Sequence, residues 1–118
     1  MEMIRVVVLF FLLLYLSVLL TGFVRPKNFT IVVLPDTQFY SKKYPELFYN
    51  QTEWIVENKE NLNIKIVLHL GDIVDNCEET KEWEIADKAM GILEGEVPYT
   101  VLQGNHDFCD NYEKYFGY

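Results

Sequence analysis

Three times in this chain an apolar run rich in β-branched residues breaks off into a cluster of polar side chains, and that recurrence limits the fold more than any other feature. Phe29 to Leu34 (FTIVVL) stops at Pro35-Asp36, Ile64 to Leu70 (IKIVLHL) at Gly71-Asp72, and Val97 to Leu102 at Gly104-Asn105-His106-Asp107. Runs of this kind suit strands covered on both faces. Between the first two, Pro45 fits a first helical turn, and Leu47, Phe48, Gln51, Trp54, Ile55, Asn58 and Leu62 fall at helical spacing. Between the second and third, Thr80 suits an N-cap, Trp83, Ala86, Ala89 or Met90, and Leu93 form a stripe, and Gly95 suits a helix end. Both tryptophans sit on these stripes and are expected in the core.

Strand, helix, strand, helix, strand predicts an α/β fold, a βαβαβ parallel sheet. Asp36 and Asp72 are 36 residues apart and Asp72 and Asn105 are 33, each about one βαβ unit. The polar clusters therefore meet at the carboxyl edge of one sheet, where open parallel sheets place ligands. Asp36, Gln38, Asp72, Asp75, Asn105, His106 and Asp107 all arrive there. Gathered carboxylates repel unless a cation compensates them. Oxygen donors with few nitrogens suit manganese, iron, zinc or magnesium. His69, inside a strand, reads as a packed, hydrogen-bonded core histidine, and the acid-rich stretch from Asp75 to Glu84 as a solvated face.

In this order, Asp36-x-Gln38, Gly71-Asp72-x-x-Asp75 and Gly104-Asn105-His106-Asp107 resemble the calcineurin-like metallophosphoesterase superfamily. The resemblance implies the first half of an αββα sandwich and metal-dependent hydrolysis of phosphoesters at a dinuclear site. It implies two divalent ions: Asp36 and Gln38 on one, Asp72 bridging both, and Asn105 on the second. His106 is similar to the histidine that protonates the leaving oxygen, and Asp107 to the acid that orients it. Gly71, Asp75 and Gly104 support these positions. The chain departs from the family in two respects. Gln38 stands where the family has histidine, so an amide oxygen replaces a ring nitrogen, and no histidine follows His106, so the chain resembles an incomplete, N-terminal part of the domain. A haloacid-dehalogenase-like site would need Asp-x-Asp, which Asp36-Thr37-Gln38 does not provide. The alternative is a non-catalytic, membrane-tethered module that binds a metal or a phosphorylated partner.

Eighteen acidic residues against ten basic ones give a net charge of -8, which excludes the electrostatic footprint of a nucleic-acid binder. Residues 6–24 are uncharged and flanked by Arg5 and by Arg25 and Lys27, so 1–25 is expected to be a signal peptide or a membrane anchor and 26–118 the folded domain. That implies a membrane-anchored or secreted protein whose partners are a phosphoester substrate and a membrane; oligomeric state is left open. Cys77 and Cys109 fall at the same sheet edge, and in an oxidising compartment they could form one bridge.

Overall fold

A computed structural model of the protein describes residues 1–20 and 28–117. Its centre is a three-stranded parallel sheet, β1 (Thr30–Leu34), β2 (Ile64–His69) and β3 (Tyr99–Val101), in the order β1-β2-β3. Leu34 pairs with His69, and His69 with Val101, so all three strands end in one row. The backbone continues this pairing for one residue: Leu70 N–H donates to Leu34 (2.9 Å) and Leu102 N–H to His69 (2.9 Å). The loops that follow the strands are thereby level with one another.

The helices are α1 (Glu2–Leu20), α2 (Gln38–Lys43), α3 (Pro45–Asn58), α4 (Thr80–Gly91) and α5 (Asp110–Phe116), with a 3-10 turn at Asn105–Asp107. One apolar core joins Leu34, Ile64, Val67 and Val101 of the sheet to Phe48 and Ile55 of α3 and to Trp83, Ala86 and Met90 of α4. Ile31 and Val33, which alternate with the inward residues of β1, remain exposed. The expectation that β1 is covered on both faces is therefore corrected; in this chain the helices lie over one face.

Helix α3 begins at Pro45, whose fixed φ and missing N–H suit that position, with Glu46 in the first turn, where a carboxylate opposes the helix dipole. It turns Phe48, Thr52 and Ile55 inward. Thr52 can be buried because its hydroxyl donates to the carbonyls of Phe48 (3.3 Å) and Tyr49 (3.0 Å). The neighbouring stripe then faces outward: Leu47 and Trp54 are about half exposed, contrary to the core position predicted for Trp54. The helix stops at Asn58, short of Leu62, because the chain turns through Asn63, at φ +50°. Helix α4 is capped by Glu79, whose carboxylate accepts from Lys81 N–H (3.4 Å), one residue before the predicted Thr80. Trp83 is fully buried, as predicted, and its indole donates to the Cys77 carbonyl (2.7 Å).

The apolar residues of α1 described, from Val6 to Tyr15, are exposed all round. Among the described residues no helix is long and apolar enough to cross a membrane. The remainder of the predicted leader, 21–25, lies outside the described residues.

Candidate functional site

The three loops touch because two glycines allow it. Gly71 is at φ +95°, and a Cβ there would meet Gly104 N at 2.5 Å; a Cβ on Gly104 would meet Asp72 N at 2.2 Å and Asp72 Oδ1 at 2.3 Å. Asp72 itself is left-handed, at φ +51°. A non-glycine residue held there stores on the order of 1–3 kcal/mol of strain, and Asp is one of the few that tolerate it. The first loop is tied in by the Thr37 N–H, which donates to the Asp72 carbonyl at 3.0 Å.

His69 locks the first two loops together beneath this surface. Gly71 N–H donates to its Nδ1 (3.1 Å), so Nδ1 is the acceptor and Nε2 carries the hydrogen given to Thr37 Oγ1 (2.9 Å). Thr37 Oγ1 passes its own hydrogen to the Ile73 carbonyl (3.3 Å), which also accepts from Ser41 Oγ (2.7 Å). Burial drives the His69 pKa down to about 4, against the opposing pull of Asp36 and Asp72. His69 is thus neutral near pH 7, with both ring nitrogens engaged. Sequence pattern identifies this histidine but not its partners Thr37 and Ser41, which look like ordinary loop residues.

Asp107 is fully buried, and its carboxylate serves the backbone. Oδ1 accepts from Ile73 N–H (2.9 Å) and Val74 N–H (3.2 Å), and Oδ2 from Gly104 N–H (2.8 Å). The His106 ring is held elsewhere: its Nδ1 meets the Asp75 carbonyl at 2.8 Å, while its backbone N–H donates to Asp72 Oδ1 at 3.0 Å. The resemblance implied that Asp107 orients His106; among the described bonds the His106 ring is held by the Asp75 carbonyl, and the Asp107 carboxylate accepts from backbone N–H groups. The bond to that carbonyl raises the His106 pKa; partial desolvation opposes it, and the charges of Asp72, Asp75 and Asp107 add to it.

Asp75 is fixed from both sides. Its carboxylate pairs with Lys42 of α2, which holds its pKa below the usual range and raises that of Lys42. Its N–H and that of Asn76 both donate to Glu82 Oε2, at 2.7 and 3.0 Å. Glu82 is buried, so the stretch from Asp75 to Glu84 is not simply a solvated face. Its place in the first turn of α4, seven residues after Asp75, is the sequence signal that could have found it.

Asp36, Gln38 and Asn105 complete the set. Asp36 and Asn105 are exposed at the sheet edge. Asp36 Oδ1 accepts from Gln38 N–H (3.1 Å) and Oδ2 from Gln38 Nε2 (2.9 Å). That second bond fixes the amide, so Gln38 Oε1 is left buried without a hydrogen-bond partner. A buried acceptor that no donor satisfies costs about 1–3 kcal/mol, and a cation removes that cost. Carboxylate and amide oxygens beside an orphaned acceptor fit a hard or borderline divalent ion.

The family model of calcineurin-like phosphoesterases matches residues 29–118. A relative from Bacillus subtilis (strain 168), described as "uncharacterized protein YvnB", is 45% identical over 96 residues. The match covers 75% of this chain and 7% of the relative, so the chain spans only a small part of that protein's length. No solved structure matches.

Proposed function

The chain belongs to the calcineurin-like phosphoesterases, a hydrolase family that is typically metal-dependent, and from that premise we propose that it performs metal-dependent hydrolysis of phosphoester bonds at the carboxyl edge of its sheet. The observation that carries this reading is the buried, unpartnered Gln38 Oε1 beside Asp36. Asp36 and Gln38 would hold one ion, Asn105 a second, and Asp72 both. Bound divalent ions supply a Lewis acid that polarises the phosphoryl group and lowers the pKa of water from 15.7 towards about 7.

The protein's own part follows from its hydrogen bonds. With Nδ1–H of His106 donated to Asp75 O, the transferable proton sits on Nε2. The raised pKa keeps a larger share of His106 protonated near pH 7, as a donor to a leaving oxygen needs to be. Asp107 keeps the loops of Ile73 and Gly104 together and so fixes the backbone that carries Asp72 and His106.

The test loads the full chain with Mn²⁺ and follows aryl phosphate hydrolysis, with bound metal counted by elemental analysis. Asp72→Asn should lose both metal and turnover. His106→Ala should retain metal and lose about 10²- to 10⁴-fold in rate, most on poor leaving groups. Unchanged metal stoichiometry in Asp72→Asn would overturn the reading. Stoichiometric binding without turnover would instead favour a non-catalytic metal- or phosphate-binding module, a reading supported by the engagement of both His69 nitrogens, which leaves His106 as the one imidazole near the edge.

We also propose that the apolar N-terminal segment directs the domain to or across a membrane. Its uncharged run from 6 to 24 and the outward apolar side chains of α1 support this. Fusion of residues 1–27 to an export-dependent reporter should confer activity; failure to do so would remove the idea.

A further inference from the structure

Cys77, in the loop after β2, and Cys109, at the N-cap of α5, have Sγ atoms within 4.8 Å of one another and both are free. Their backbones are already fixed relative to each other. The Cys77 carbonyl accepts from the Trp83 indole (2.7 Å), from Asn111 Nδ2 (3.0 Å) and from the Cys109 thiol (3.0 Å), so α4 and α5 converge on one peptide unit. The third donor is dispensable: without the thiol hydrogen, that carbonyl keeps two strong partners. Cys109 also lines an open cavity of about 320 Å³ with Glu78, Phe108, Asp110 and Asn111, whereas Cys77 does not line it.

We propose that Cys77 and Cys109 are a thiol pair that closes into an intramolecular disulfide, stapling the loop after β2 to the start of α5. The oxidant is a small or protein disulfide. The Cys109 thiolate, reached through the cavity, attacks one sulfur of glutathione disulfide; that S–S bond breaks and glutathione leaves with a proton. The Cys77 thiolate then attacks the Cys109 sulfur of the mixed disulfide and releases the second glutathione. Two S–H bonds are lost, one S–S bond forms, and two electrons reduce glutathione disulfide to two thiols. The order of attack follows from the surroundings. Burial, then the hydrogen bond and charge of Cys109, push the Cys77 thiol up to about 12, and capping of Cys109 removes the latter two causes before Cys77 must react.

The staple encloses the chain from Cys77 to Cys109, which spans β3 and the 3-10 turn of Asn105 to Asp107. It also lies two residues beyond Asp75, whose carbonyl holds His106.

The test equilibrates the full chain with glutathione disulfide, blocks remaining thiols, and maps the peptides by mass. The expected product is a Cys77–Cys109 linked peptide lighter by two hydrogens, no free thiol, and a Tm on the order of 10 °C above that of the reduced chain. Cys77→Ser and Cys109→Ser should each lose that redox-dependent shift; if either fails to fold, the reduced and oxidised wild-type chains still give the comparison. Two thiols that stay titratable in excess glutathione disulfide, links between chains rather than within one, or a Zn²⁺ ion held by both thiols against oxidation would each overturn the proposal. None of these readouts depends on hydrolysis, so failure here and failure of the phosphoesterase reading are distinguishable.

Discussion

The turn at Gly104–Asp107 and the loop at Asp36–Gln38 both follow a strand, both carry a carboxylate, and treat it in opposite ways. In the first, Asp107 is sealed from water and its oxygens answer three backbone N–H groups. In the second, Asp36 is exposed and, among the described residues, bonds only its neighbour Gln38, whose own oxygen is left buried and unanswered. A carboxylate sealed among backbone donors is out of a ligand's reach. One that stands at the edge beside an orphaned acceptor has little to do except bind. The chain thus divides its acids between holding loops together and receiving charge.

The sharpest way to break this contrast is to separate the loops. Gly104→Ala drives a Cβ into Asp72, and should cost on the order of 3 kcal/mol or more in urea unfolding of the full chain, with loss of metal binding. Gly91→Ala meets nothing within 4 Å inside α4 and should instead gain about 0.5–1 kcal/mol. Asp107→Asn should cost about 2–3 kcal/mol even without metal, since an amide cannot accept from three donors. A neutral result in chemical denaturation would erase the distinction between the two loops.

His69 gives a pH signature of similar size. Its folded pKa, about 4, lies below the unfolded value of 6.5, so below pH 6.5 the unfolded chain binds the extra proton and stability falls as pH drops. The loss should approach about 3 kcal/mol by pH 4 and be absent from the pH slope of His69→Gln. Equal slopes in the two proteins would mean that His69 is not held neutral. The smallest stability effects belong to the other loop. Asp36→Asn should change metal-free stability by less than about 0.5 kcal/mol, and Gln38→Ala, which removes the orphaned acceptor, should not lower it; both should weaken Mn²⁺ binding by about tenfold or more in calorimetry.

The sequence made the sheet and its polar edge legible because strand periodicity, Pro45 and the Gly-Asp and Gly-Asn-His-Asp turns are all local signals. It did not reveal which face of α3 points inward. Thr52 satisfies its hydroxyl within its own helix, and so a polar residue takes the buried stripe while Trp54 goes outside. Nor did it reveal the work of Glu82, Thr37 and Ser41, whose partners lie on other elements. Asp107 was found by its motif, but two of the three donors to its carboxylate lie more than thirty residues away.

The left-handed backbone of Asp72 sets the needs of the fold against those of the ligand at a single position. Glycine would relax that φ angle and cost, among the described hydrogen bonds, the side-chain one to His106 N–H, so an unselected library screened for thermal survival alone should drift towards glycine there. A library screened for metal retention should drift back. The residue at 72 would then record which of the two pressures a lineage has been under.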